Sequence, residues 1–212
     1  IEEHVSINDA GTVAFSGGGL SSSDLVGLFT GSGGAVTPIA DDSGPLVFPF
    51  FASINDVGTV AFLAQLDGGG NGLFLGGTQV RPFADTNGLF SFFFGRAPSI
   101  NDTGQVAFGA GLDGGGTGIF VGPNPLADKV ITTGDSLFGS TVTSLSLGSQ
   151  ALNNAGRVAF YAELSDGTQG VFVATPVPEP STLLLSAVAL AGLAAGRGWH
   201  DSGFRRGRRL GQ

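Results

Sequence analysis

The 212-residue chain has no cysteine and no methionine, one tryptophan (Trp199), one tyrosine (Tyr161), one lysine and two histidines. Without cysteine there is no disulfide framework, no thiol nucleophile and no cysteine-ligated metal. The sole lysine, Lys129, follows Asp128 and not glycine, so no phosphate-binding P-loop can be built. Cations are scarce in the body as well. Residues 1–176 carry Arg81, Arg96, Lys129 and Arg157 against fifteen acidic side chains, net −11. A body of that sign repels phosphate backbones, which excludes nucleic acid as the expected partner. No charged segment followed by an apolar run opens the chain at Ile1, so the expectation is a truncated or processed N-terminus.

What is abundant is glycine, 38 residues, within a sequence that is 42% apolar and only 12% charged. Glycine at this level without a Gly-X-Y period is not collagen, and the apolar content is too high for disorder. Many turns with strands between them, an all-β fold, is the class that remains.

A repeat organises the first 175 residues. Ser6-Ile7-Asn8-Asp9-Ala10-Gly11-Thr12-Val13-Ala14-Phe15 recurs almost unchanged from Ser53 to Phe62 and from Ser99 to Phe108, and in diverged form from Ala151 to Phe160. The leading asparagines, Asn8, Asn55, Asn101 and Asn153, are 47, 46 and 52 residues apart. Each is followed three positions later by Gly11, Gly58, Gly104 or Gly156, a spacing that suits a β-turn with the asparagine side chain bonded to the backbone ahead. Val-Ala-Phe then opens a strand, with Val60, Phe62, Ala64 and Leu66 on one face and small or polar residues on the other. Glycine-rich turns, Asp67 to Gly72 and Asp113 to Gly118, lead into short apolar strands such as Leu73-Phe74-Leu75, which predicts hairpins. Runs 35–39 and 46–51 supply third and fourth strands.

Four strands in about 47 residues predict tandem four-stranded antiparallel repeats, arranged as a partial β-propeller or a propeller-like stack. Strand counting gives three full copies and a half copy ending near Thr175. Phe15, Phe62, Phe108 and Phe160 are expected at equivalent buried positions.

The C-terminal part reads differently. Pro176, Pro178 and Pro180 favour an extended linker over residues 176–182. Residues 183–195 carry no charge and span about 20 Å as a helix, short of the ~30 Å hydrocarbon core unless flanking residues are included. A short transmembrane helix over 183–196 is therefore expected, as a weak and temporary anchor. Arg197, Arg205, Arg206, Arg208 and Arg209 give residues 177–212 a net charge of +3, and the positive-inside rule places this basic tail in the cytoplasm and the repeats outside.

Two resemblances are specific enough to state. The pattern Asn-x-x-Gly-x-x-Ala-Phe is similar to tandem NxxGxxAF-type repeats of exported bacterial proteins. Residues 177–209, opening on Val177-Pro178-Glu179-Pro180, resemble the PEP-CTERM protein-sorting domain. That resemblance implies a Gram-negative surface or matrix protein, recognition of Val177 to Pro180 by a membrane-embedded exosortase, and removal of the apolar anchor.

Gly134-Asp135-Ser136-Leu137 spells the nucleophile motif of GDSL esterases, but the only histidines are His4 and His200, and a serine without a base is a poor nucleophile. The positions 40–44 and 84–88 of earlier repeats suggest a turn instead. The Asp-Gly-Gly-Gly turns offer one carboxylate each, where calcium gathers several oxygens, so hairpins are favoured over calcium sites and no cofactor is expected, with stabilisation by calcium at extracellular concentrations as the alternative. Eighteen phenylalanines, including Phe48, Phe50, Phe51, Phe90, Phe92, Phe93 and Phe94, read as core packing, since a sugar platform favours Trp and Tyr. The sequence thus points to a non-enzymatic, exported repeat protein of structural or adhesive type, with exopolysaccharide as a matrix partner. Its alternatives are a glycan-binding propeller or a hydrolase whose catalytic part lies outside this chain.

Overall fold

The computed structural model describes residues 5–18 and 26–176. The expected linker motif, membrane helix and basic tail at 177–212, and His4, lie outside the described residues. The chain divides after Thr175.

Residues 5–175 form four antiparallel sheets of four strands each, with no helix among the described residues. The first sheet contains β1 (Val5–Ile7), β2 (Val13–Gly18), β3 (Val26–Gly31) and β4 (Thr37–Asp41), and the second β5 (Leu46–Ile54), β6 (Val60–Leu66), β7 (Asn71–Gly76) and β8 (Arg81–Asp85). The third contains β9 (Phe90–Ile100), β10 (Val106–Leu112), β11 (Thr117–Val121) and β12 (Lys129–Thr132). The fourth contains β13 (Ser136–Leu137), β14 (Ser140–Leu152), β15 (Val158–Leu164) and β16 (Gln169–Ala174). In all four sheets spatial order follows chain order, as consecutive hairpins require.

The sheets are offset from the sequence repeat by one strand. Leu46–Ile54 does not close the first repeat: Ile54 pairs with Val60 and Ser53 with Ala61, so this strand opens the second sheet. Counted from the asparagine turns the chain still holds three copies and a half, the fourth having only the strands Val158–Leu164 and Gln169–Ala174, but the strands regroup as four sheets. Val5–Ile7 gives the first sheet its opening strand, and the fourth sheet has three long strands plus the two-residue β13. The long opening strands are bulged, with register shifts in β5, β9 and β14. A bulge bends a strand, and Phe48 and Phe51 accommodate the one in β5 at φ of 48° and 52°.

Between successive sheets lie three apolar cores. Val60, Phe62 and Ala64 on one face of β6 meet Ala14 and Leu28 of the first sheet, while Ala61 and Leu63 on its other face meet Val106, Phe108 and Ala110 of the third. Val158, Phe160 and Ala162 of the fourth sheet then meet Ala107 and Ile119 of the third. Each interface is thus the same pairing of a Val-Phe-Ala face with the opposite face of the preceding sheet. The expectation of one apolar and one thin face needs correcting for the middle sheets, which are apolar and buried on both. Phe62, Phe108 and Phe160 are buried, whereas Phe15 is half-exposed because its face looks outward from the first sheet.

Glycines permit the close approach of several rings. A Cβ on Gly72 would lie 2.4 Å from the Phe74 ring, and one on Gly111 would lie 2.2 Å from that of Phe92. Phenylalanine therefore packs over glycine within a strand and across strand pairs, which accounts for the joint excess of both residue types. Phe90, Phe93, Phe108 and Phe120 form an edge-on cluster in the core shared by the second and third sheets.

Candidate functional site: the asparagine spine

The turns joining the first and second long strands of each sheet stand side by side. Within each, the glycine N–H donates to the asparagine carbonyl, at 2.9 Å for Gly11 and Asn8 and 3.1 Å for Gly58 and Asn55. These glycines sit at φ between 73° and 83°, a left-handed conformation that a side chain disfavours. Asparagine Oδ1 accepts from the backbone four residues ahead: Thr12 at 2.9 Å, Thr59 at 2.8 Å, Gln105 at 2.9 Å and Arg157 at 2.9 Å. So far this is the turn chemistry the sequence suggested.

The other half of each amide does something the sequence reading missed. Asn8 Nδ2 donates to the carbonyl of Asn55 at 3.0 Å, Asn55 Nδ2 to that of Asn101 at 2.8 Å, and Asn101 Nδ2 to that of Asn153 at 3.0 Å. A second ladder runs beside it. The backbone N–H of Asp9 donates to Asp56 Oδ1 and that of Asp56 to Asp102 Oδ1, both at 2.8 Å, and that of Asp102 to Asn154 Oδ1 at 2.9 Å. Asn154 Nδ2 donates back to Asp102 Oδ2 at 2.6 Å. The signal was present: Asp, Asp, Asp and Asn follow the four asparagines. Read within one turn, they were merely good turn residues.

Serines one strand earlier add rungs. Ser6 Oγ accepts from Ile54 N–H at 3.1 Å, Ser99 Oγ accepts from Leu152 N–H at 2.9 Å, and Ser53 Oγ donates to Pro98 O. Asn55 and Asn101 are buried, and no buried side-chain polar atom among the described residues lacks a partner. Along the ladders runs an open groove of about 280 Å³, lined by the Asn–Asp pairs and Ile7, Ile54, Ile100 and Leu152. A void of about 10 Å³ between the second and third sheets has room for about one water.

The GDSL-like segment lies away from the spine. Asp135 Oδ2 accepts from Thr132 N–H at 2.8 Å, and the carboxylate pairs with Lys129 Nζ at 3.0 Å. Partial burial raises its pKa, but these hydrogen bonds and the lysine charge outweigh burial and leave the group below its ordinary value. Strand pairing corrects the proposed equivalence: Gly27, Gly72 and Gly118 face Asp41, Asp85 and Thr132, so Asp135 lies three residues beyond the place of Asp41 and Asp85. The glycine-rich turns close as hairpins at the opposite end of the sheets from the asparagines, with Gly69 N–H on Leu66 O at 2.8 Å and Gly115 N–H on Leu112 O at 2.9 Å. Among the described residues no three His, Asp or Glu side chains converge as a metal site, and no helix is long and apolar enough to cross a membrane.

Comparison with known proteins adds two matches. The model of a family of unknown function, DUF7453, matches residues 2–184. The chain belongs to that family. The PEP-CTERM protein-sorting motif matches residues 176–197, and it includes Val177, Pro178, Glu179, Pro180 and Arg197. No curated protein and no solved structure matches the chain. The motif is of the kind recognised in exosortase processing, and it implies export and sorting to the cell envelope.

Proposed function

We propose that this chain is a structural or adhesive repeat protein of the cell surface or extracellular matrix of a Gram-negative bacterium, delivered by exosortase-dependent cleavage at its PEP-CTERM motif. The observation that carries the reading is the sorting motif placed directly after a body whose repeated polar groups hold sheet to sheet. Asn55, Asn101, Asp56 and Asp102 bond to neighbouring turns, which makes the spine a mechanical tie. The directed stacking of successive antiparallel sheets through the same pair of faces favours a sector of a β-propeller, whose blades stand around an axis in this manner. A non-catalytic role fits Ser136, an exposed residue of a two-residue strand whose neighbour Asp135 is held by Lys129.

Mass spectrometry of the mature protein from hosts with and without exosortase tests delivery. The expected product ends near Val177 to Pro180 in the exosortase host, and an intact Gln212 there overturns the proposal. The groove along the spine favours one second reading, binding of a neutral glycan through Asn and Asp side chains. Calorimetric titration with neutral oligosaccharides checks it, with heat lost in Asp56→Ala as the supporting result.

A further inference from the structure

The sequence Asn-Gly-Leu-Phe occurs twice, at 71–74 and 87–90, and the fold puts the two copies in opposite settings. Asn71 opens β7, and Gly72 is buried within it, paired with Ala64 on one side and Asp85 on the other. Asn71 N–H donates to Thr86 Oγ1 at 2.8 Å, and its carbonyl accepts from Thr86 N–H at 2.9 Å. The Phe74 ring lies over Gly72, where a Cβ would be 2.4 Å from it. Asn87 and Gly88 instead lie in the turn between β8 and β9, and both are exposed. Asn87 N–H donates to Asp85 Oδ1 at 2.9 Å, but the Asn87 side-chain amide and the Gly88 N–H have no hydrogen-bond partner among the described residues.

An asparagine followed by glycine can lose ammonia through attack by its own backbone. The glycine nitrogen gives up its proton and bonds to the asparagine Cγ, the Cγ–Nδ2 bond breaks, and Nδ2 leaves as ammonia. The resulting succinimide takes up one water, opening at the side-chain carbonyl to aspartate or at the backbone carbonyl to isoaspartate. Nothing is oxidised or reduced: one amide and one water give one carboxylate and one ammonium. Glycine favours the attack because it has no Cβ to obstruct it. Strand geometry opposes it, since a ψ of about +135° swings the glycine nitrogen away from Cγ. At Gly72 ring closure therefore requires β7 to open from both neighbours first, whereas at Gly88 no ladder bond has to break.

We propose that Asn87 is a site of spontaneous deamidation, and that Asn71, in the same local sequence, is protected by its sheet. The product places a second negative charge beside Asp85, whose Oδ1 accepts the residue 87 N–H. Isoaspartate also carries the main chain through Cβ and Cγ, which lengthens the 86–89 link between the second and third sheets by one methylene. The reaction takes water alone, so the product accumulates with the age of the molecule. In a protein lying outside the cell that made it, the altered fraction records time since export. That use rests on the surface reading above; the chemistry does not.

The repeated sequence supplies an internal control. The folded 212-residue chain is incubated in mildly alkaline buffer and, in parallel, in urea. Chymotryptic peptides separate the two asparagines, and mass spectrometry with isoaspartate-specific methylation reads each. In urea the two are expected to convert at the same rate, because their neighbours are the same. In buffer Asn87 is expected to convert while Asn71 is slower by at least about tenfold, since only its ladder must open first. Equal conversion of the two in buffer overturns the proposal. So does an Asn87 that stays an amide in buffer over the time in which it converts in urea. Gly88→Ala tests the route: a Cβ there meets only Asp85 Oδ1, at an ordinary 3.7 Å, and the φ of Gly88 is not in the left-handed region, so the turn is kept. Conversion of Asn87 is expected to slow roughly tenfold in that variant; an unchanged rate means direct hydrolysis of the amide and overturns the succinimide route. C-terminal processing is read on other peptides, so failure here and failure of the surface reading are visible separately.

Discussion

The middle sheets and the end sheets are built from nearly the same ten residues, yet they occupy different environments. Val60-Ala61-Phe62 is fully buried because sheets lie on both of its faces, whereas Val13 and Phe15 of the same motif are half-exposed because only one face is covered. Asn55 and Asn101 are buried, Asn8 is half-buried and Asn153 is exposed. One motif thus has different energetic weight according to how many neighbours its sheet has. That is the behaviour of a one-dimensional array, in which stability is the sum of repeats and nearest-neighbour interfaces.

The largest contrast is expected from deleting the same side chain in both settings. Phe62→Ala removes a ring buried between two sheets and is expected to cost ~3–5 kcal/mol, while Phe15→Ala is expected to cost less than about half of that. Urea denaturation of the two variants measures the difference, and equal losses would mean that Phe15 is covered as well as Phe62.

The spine offers the next largest contrast. Asn55→Ala leaves the Thr59 N–H without its acceptor and removes the cross-sheet donor to the Asn101 carbonyl, which keeps only the Gly104 N–H, for an expected loss of ~1–3 kcal/mol. Asn153→Ala removes only the bonds from Ala155 and Arg157 N–H at an exposed turn, for an expected ~1 kcal/mol. Asn55→Asp sharpens this, since it keeps the acceptor and loses the cross-sheet donor. Hydrogen exchange at the Asn101 turn is expected to quicken in that variant, with the Thr59 amide remaining protected.

Glycines beneath rings give a smaller effect. Gly72→Ala drives a methyl into Phe74, which is buried and held on both sides, and is expected to cost ~1–3 kcal/mol. Gly111→Ala meets Phe92, which is 45% exposed and free to swing out, so a loss below ~1 kcal/mol is expected in thermal melts.

Acid gives the smallest effect, and it falls on the ends. Hydrogen bonds from the Ser43 hydroxyl and backbone hold Asp41 of the first sheet below the ordinary 3.8, and the Thr168 backbone N–H and hydroxyl do the same for Asp166 of the fourth. Because the folded values are the lower ones, both contributions are complete above the unfolded pKa and disappear as pH falls through the folded values. Both groups are solvent-exposed, so the loss is small. Hydrogen exchange below about pH 3.8 is expected to quicken at 41–43 and 164–168 before it does in β6 or β10.

Much of this organisation was legible from residues. The Asn-x-x-Gly turn was readable because its chemistry is local: an amide oxygen reaching the N–H four residues ahead, and a glycine taking a positive φ. The hairpins were readable because alternation and Asp-Gly turns are local too. The strand offset was not, since Leu46–Ile54 is apolar at every position but Ser53 and its partner is decided by which edge it meets. The misplaced equivalence of Asp135 has the same origin, because only cross-strand pairing fixes register.

By itself the sequence determined the all-β class, the four-fold turn and the sorting motif, all of which rest on neighbours a few residues apart or on a contiguous signal. Only the tertiary structure decided that Asn8, Asn55 and Asn101 donate to the next turn, that Asp9, Asp56 and Asp102 form a ladder, and that Phe15 faces outward. Those facts depend on residues about 47 apart coming within 3 Å. No pattern inside one repeat encodes that distance; it follows from the stacking of whole sheets, which brings each turn beside its partner where the adjoining apolar faces pack.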